Sequence, residues 1–158
     1  PSSLVGSEMC IRDRRVTDLF AGCGTLGLPL LKGLSKLTAA ESDTAALAAM
    51  KAAVDAAGLG ARLDCIEADL MRAPLTADLF GDVEAVIIDP PRAGASAQCE
   101  ILATTAVPAI AMVSCNPASF ARDAAILVAG GYRLTSLQII DQFRFSSHVE
   151  IVAGLERG

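Results

Sequence analysis

Several carboxylates, one well-placed cysteine and a run of glycines are spaced along this 158-residue sequence in a way that could do chemistry. Ala21-Gly22-Cys23-Gly24-Thr25-Leu26-Gly27 is a Gly-x-Gly-x-x-Gly loop, whose glycines let backbone amides approach a ligand closely. Such a loop serves dinucleotide enzymes and methyltransferases alike. Glu41 follows Gly22 by 19 residues, where an acid can bind both hydroxyls of a ribose. Asp69 and Asp89 each follow a further strand-like run, although any one such acid can equally cap a helix or form a turn. In Asp89-Pro90-Pro91-Arg92 the prolines restrict the residues before them to extended conformations, which fixes the pose of Asp89. A rigid turn with a cap is the plain alternative.

Val113-Ser114-Cys115-Asn116-Pro117 sets a cysteine just before a helix whose first turn Pro117 pre-organises. Helix N-termini favour the nucleophilic thiolate, whereas a cysteine elsewhere is usually a small buried apolar group. Cys65 and Cys99 fit the second description, and Cys23 can be filler within the glycine loop. Glu150 interrupts the apolar run Val149, Ile151, Val152. A carboxyl group among aliphatic side chains can exchange protons near neutrality; the alternative is a strand residue on the solvent face. His148 is the one histidine, and the five cysteines form no Cys-x-x-Cys pair. Local hydrogen bonding is therefore expected of His148, and no metal site is expected.

Whether these groups meet depends on the elements that carry them. Strand-like runs occur at Val16–Phe20, Leu37–Ala40, Arg62–Ile66, Val83–Ile88, Ile110–Ser114, Tyr132–Ile140 and Val149–Leu155. Helical patterns lie near Thr25–Leu34, from Asp43 as cap to about Ala57, near Ala97–Thr105, and from Asn116-Pro117 to Val128. This alternation predicts an α/β, Rossmann-like, doubly wound sheet of seven strands, mostly parallel, with a C-terminal antiparallel strand after the Asp141–His148 loop. Ligands of such sheets bind beyond the carboxyl ends of the strands, where the glycine loop, the three acids and Cys115 fall.

The length suits one domain, and 53% apolar with 20% charged residues excludes a disordered or fibrous chain. A net charge of −5 and 4% aromatics, with no tryptophan, argue against a generic polyanion binder or a base-stacking platform. An odd cysteine count without framework spacing points to a reduced, cytoplasmic protein. The longest apolar stretch, Ile101–Val113, is too short for a bilayer, so no membrane partner is expected. Residues 1–15 show no periodicity and are expected to be a non-native or disordered segment.

DLFAGCGTLGLPL, IIDPPRAGA, VSCNPASFARDA and SSHVEIVAGL, in this order and spacing, resemble the RNA (uracil-5-)-methyltransferase family over residues 16–158. The resemblance implies a class I S-adenosylmethionine-dependent fold, with Phe20, Gly22, Gly24, Thr25, Glu41, Asp69 and Asp89 around the cofactor. It also implies Cys115 as nucleophile toward carbon 6 of a uridine, Glu150 as base, and Arg92 facing developing charge or a phosphate. SFARDA resembles the ribosomal-RNA branch more than the transfer-RNA branch. A monomer is expected, with the family's upstream RNA-binding region missing from the chain. Thr25 stands where several relatives have asparagine, and Asp55 also departs from the usual asparagine.

Other functions fit less of the pattern. An amino-group methyltransferase needs an aromatic where Arg92 stands, and a cytosine-5 enzyme a cysteine there. A nicotinamide dehydrogenase shares the glycine loop but leaves Cys115 and Glu150 unexplained. A non-catalytic cofactor-binding fragment is the alternative from outside the enzymes.

Overall fold

The computed structural model describes residues 14–141 and 148–158. Strand β1 (Arg15–Leu19) is buried from Val16 onward, because it has neighbours on both edges and cover on both faces. Parallel partners flank it, with Val16 opposite Leu37 of β2 (Lys36–Glu41) and opposite Ala85 of β4 (Ala85–Ile88). β3 (Leu63–Glu67), β5 (Ala109–Ser114), β6 (Tyr132–Ile140) and β7 (Glu150–Arg157) complete one seven-stranded sheet of order β3-β2-β1-β4-β5-β7-β6. β7 alone runs against its neighbours, inserted between β5 and β6.

Three α-helices cover the sheet. Asp43 caps α1 (Thr44–Ala56), its carboxylate accepting from the amides of Ala45 and Ala46 at 2.9 and 3.1 Å. α2 (Ser96–Ala103) stops early because the hydroxyls of Thr104 and Thr105 donate to the last carbonyls, those of Ile101 and Leu102, both at 2.7 Å. Asn116 caps α3 (Pro117–Ala129). α2 and α3 bury Cys99, Leu102 and Leu127 against Ile110, Met112 and Leu155 of the sheet. Val16, Leu31, Leu37, Val54 and Ile87 form a second core, and Ala39, Leu47 and Met50 a third beside it.

Several expectations differ from the structure. No α-helix forms over Thr25–Leu34: residues 22–27 are turns, and Leu28–Gly33 is a 3-10 helix with Pro29 in its first turn. Gly22 and Gly24 hold φ at 56° and 92°, which a right-handed helix cannot use, and Pro29 lacks an N–H to donate. The link from β3 to β4 carries a 3-10 turn at Ala77–Phe80. Cys65 is exposed on edge strand β3, not buried, whereas Cys99 is buried and its thiol pushed up to about 12 by desolvation. Residues 1–13, and 142–147 of the Asp141–His148 loop, lie outside the described residues. Arg14 and Arg15, expected in the non-native segment, take part in the sheet: the Arg14 carbonyl accepts from Ser35 and β1 begins at Arg15.

Candidate active site at the carboxyl edge of the sheet

The chain winds outward from β1 through β2 to β3, then crosses to β4 on the other side of β1. The carboxyl ends of β1 and β4 therefore border the switch point, where open α/β sheets bind ligands. A cleft of about 430 Å³ lies there, lined by Phe20, Glu41, Asp69, Leu70, Met71 and Asp89 among others. Its size and mixed wall of carboxylates and apolar side chains suit a small ligand.

Each side chain reaches the cleft through its own strand end. Phe20 turns the chain out of β1 with φ 59°, the one positive value for a non-glycine among the described residues. Glu41 ends β2 and folds back on the glycine turn: its Oε2 accepts from the amide of Gly22 at 2.8 Å. Its Oε1 accepts from the amides of Ser42 and Asp43 at 2.8 and 3.0 Å. Partial burial opposes its charge, but the amides of Asp43, Gly22 and Ser42 outweigh that and hold the carboxyl below the usual range. Glu41 is thus a carboxylate fixed in place: Oε1 also takes the Ser42 hydroxyl at 3.2 Å and is filled, while Oε2, with one donor, keeps acceptor capacity for a ligand hydroxyl.

The other candidates fall in different surroundings. A Cβ on Gly22 would meet nothing within 4 Å, so its backbone faces open space beside Glu41. Gly24 instead turns its missing side chain inward, 2.5 Å from Leu28 Cγ and 3.3 Å from Met50 Cγ. Thr25 is exposed, its hydroxyl 3.7 Å from the Cys23 thiol, and is not among the residues lining the cleft. Asp69 lies beyond β3, where its carboxylate accepts from the Met71 amide at 3.2 Å.

Asp89 follows β4, and Cys115 follows β5. In the β5–β7 ladder the last pair is Ser114 with Ile151, so the next residues outward are Cys115 and Glu150. Desolvation and then the charge of Glu150 raise the Asp89 carboxyl, which brings Asp89 into the same neighbourhood. Glu150 opens β7 half-buried, neither wholly apolar-packed nor on a free solvent face. Arg92 is exposed, but its carbonyl accepts from Asn116 Nδ2 and Ser119 Oγ, both at 3.0 Å. The Asp89–Arg92 turn is therefore tied to the helix that follows Cys115. His148 lies exposed just before β7. Among the described residues no group of His, Cys, Asp and Glu could hold a metal ion.

A further carboxyl group was not singled out from the pattern. Asp18 is 1% exposed beneath the glycine turn, and its Oδ2 has no hydrogen-bond partner among the described residues. A Cβ on Gly27 would come within 2.6 Å of that oxygen, so the third glycine of the motif makes room for the acid. A carboxylate inside a strand buried on both faces, four residues before Gly22, is the signal for it. Desolvation pushes Asp18 up to about 6; the Gly27 amide opposes this, and the charges of Asp89 and Glu41 add to it.

A consequence follows for stability. With the folded value above the ordinary 3.8, native Asp18 keeps its proton where the unfolded chain has lost it. The contribution of Asp18 to stability is therefore full below about pH 4 and is lost as pH rises through about 6. Urea unfolding at about pH 4.5 and about pH 7.5 is expected to show Asp18→Asn gaining about 2 kcal/mol on the parent between the two conditions. An unchanged difference would refute a neutral, buried Asp18.

A seven-stranded sheet with one reversed strand, a glycine turn after β1 and an acid after β2 is the architecture of the class I S-adenosylmethionine-dependent methyltransferases. Within that class, the chain belongs to the tRNA (uracil-5-)-methyltransferase family, whose sequence model matches residues 76–157, just over half of the chain. It is 45% identical over 99% of its length to an uncharacterized RNA methyltransferase of Mesorhizobium japonicum, covering 37% of that protein. It is 38% identical to the 23S rRNA (uracil(1939)-C(5))-methyltransferase of Pseudomonas putida, over 92% of the chain and 32% of that protein. Among solved structures, the Pyrococcus abyssi tRNA (uracil-54, C5)-methyltransferase in complex with S-adenosyl-L-homocysteine superimposes with a TM-score of 0.73 at 27% identity, over 98% of this chain and 37% of that one. The chain thus spans about a third of the length of the curated relatives it matches.

Proposed function

We propose that this chain is the catalytic segment of an RNA (uracil-5-)-methyltransferase that attacks carbon 6 of a uridine with Cys115 and uses Glu150 as the base. The observation that carries it is that Cys115 follows the last β5–β7 pair, Ser114 with Ile151, at the same sheet edge from which Glu150 opens β7, beside the acid-lined cleft at the switch point. Uracil carbon 5 is too weak a nucleophile to take a methyl group unaided. A covalent bond from Cys115 Sγ to carbon 6 pushes the ring electrons toward carbon 5 and the carbonyl oxygen, giving an enolate. Once carbon 5 carries the new methyl group, Glu150 accepts the proton left on it, and the ring electrons expel the Cys115 thiolate.

The cleft fits an adenosylmethionine. Glu41 is placed for the ribose hydroxyls, Asp69 for the base, and Phe20, Leu70 and Met71 for its apolar faces, with Gly22 leaving room for backbone approach. Asp89, at the inner end of the cleft, holds negative charge toward a cationic ligand. S-adenosylmethionine bound there supplies an electrophilic methyl group. Arg92, on the adjoining turn, supplies positive charge for the enolate oxygen or a phosphate. A free thiol at this edge suits a reduced, cytoplasmic setting. Ribosomal RNA is the preferred substrate class, on the strength of the SFARDA segment and the similarity to the 23S enzyme.

5-Fluorouridine tests the chemistry, because fluorine at carbon 5 cannot leave as a proton. The full-length protein carrying this segment, incubated with S-adenosylmethionine and 5-fluorouridine-containing RNA, should give a complex that survives a denaturing gel. Adducts should form faster with 23S ribosomal RNA fragments than with transfer RNA. Absence of any complex, or its survival in Cys115→Ala, would overturn the mechanism; cofactor binding without any adduct would mark a non-catalytic cofactor-binding protein.

A further inference from the structure

The turn that carries Arg92 and the helix that follows Cys115 are held by a second set of bonds, about two helical turns beyond Asn116. Asp123 of α3 is 1% exposed, and its Oδ2 accepts from the backbone amide of Ala95 at 2.7 Å. Its Oδ1 accepts from Arg122 Nε at 2.9 Å and Nη2 at 2.8 Å. The same Nη2 donates to the carbonyl of Ala93 at 2.9 Å. Gly94, between them, sits at φ 79°, where a Cβ would lie 2.6 Å from Asp123 Oδ2 and 2.9 Å from Ser119 Cβ.

This arrangement does not serve the helix. Successive residues do not face each other on an α-helix, so an Arg122–Asp123 pair adds nothing to α3 itself. A buried carboxylate is costly unless every lone pair is engaged, and the groups that engage this one point at residues 93–95. With the bonds from Asn116 and Ser119 to the Arg92 carbonyl, the helix grips the turn at residues 92, 93 and 95.

We infer that Arg122 and Asp123 are positioning residues that lock the Arg92 turn onto α3, so that Arg92 and Cys115 meet the substrate in one fixed geometry; the role rests on the uridine chemistry proposed above. A displacement of about 1 Å in such a group costs up to about 100-fold in rate. Asp123→Asn puts an amide N–H₂ against either the Ala95 amide or the guanidinium, donor facing donor, and releases one side of the clasp. Arg122→Ala removes the other side and leaves the buried Asp123 carboxylate without its guanidinium, so thermal unfolding is measured alongside to separate loss of fold from loss of rate.

The test is adduct formation on 5-fluorouridine RNA by the full-length protein, at saturating RNA and S-adenosylmethionine. Asp123→Asn should slow it by about 10- to 100-fold, and Arg122→Ala in the same direction by less. Cofactor affinity, read by calorimetry, should stay within about twofold. In an Arg92→Ala background the same Asp123→Asn substitution should cost no more than about twofold further, since the group it positions is gone. Equal losses in both backgrounds, a parallel loss of cofactor affinity, or no loss at all would each overturn the positioning role. No adduct from the unsubstituted protein would instead overturn the uridine chemistry on which it depends.

Discussion

Glu150→Gln is expected to leave the protein attached to its RNA, methylated at carbon 5 and unable to let go. Glutamine keeps the length and shape of the side chain at the start of β7 but cannot take a proton at its carbonyl oxygen under ordinary conditions. Addition of Cys115 to carbon 6 requires no base at carbon 5, so the first half of the reaction proceeds. Elimination does not. Loss of a positioned general base costs about 10² to 10⁴ in rate, and turnover should fall by about 10³-fold while a covalent complex accumulates on ordinary, unfluorinated RNA. A denaturing gel, together with release of tritium from uridine labelled at carbon 5, reads both halves. Normal turnover in this variant would remove Glu150 from the mechanism, and loss of adduct formation would assign it an earlier step. The substitution also removes the charge that, after desolvation, raises Asp89. The Asp89 carboxyl should therefore titrate lower in the variant, a change that NMR can follow.

Cys115→Ser tests the nucleophile with a change of one atom. A serine hydroxyl at the end of β5 has the same reach but holds its proton far more tightly than a thiol. Removing a covalent nucleophile costs orders of magnitude, and methyl transfer should fall by at least about 10⁴-fold, with no adduct on 5-fluorouridine RNA. Cofactor affinity should be unchanged within about twofold, because the cleft is lined from β1, β2, β3 and β4 and not by Cys115. That split separates an enzyme deprived of its nucleophile from a protein that merely binds cofactor. Substantial methylation by the serine variant would place the covalent step elsewhere.

Most strand positions along the chain could be anticipated because most strands are short runs rich in apolar residues and bounded by turn residues, a local property. Asp43, Asn116 and Pro117 mark helix starts for the same reason: capping and proline act within one turn. The failures were also local in appearance. Leu26 to Leu34 has helical hydrophobicity, yet the left-handed glycines before it and Pro29 within it leave only a 3-10 turn. Cys65 sits in an apolar run but on the sheet's edge strand, and nothing within a five-residue segment distinguishes an edge from a centre.

The residue types and their order named the chemistry: a glycine turn, acids at strand ends, a cysteine before a helix and a glutamate in a strand are legible because motif chemistry is short-range. What the chain could not display is which of these come together. Cys115 and Glu150 are 35 residues apart, and they reach the same edge of the sheet because β7 enters it reversed between β5 and β6, with Ile151 opposite Ser114. Asp18 reads as one polar residue in a strand until the turn closes over it, and Asp123 as one more charge on a helix until Ala95 donates to it. Burial and cross-strand register are sums over the whole fold, so they decide when a carboxyl group becomes a buried acid, a base or a clasp.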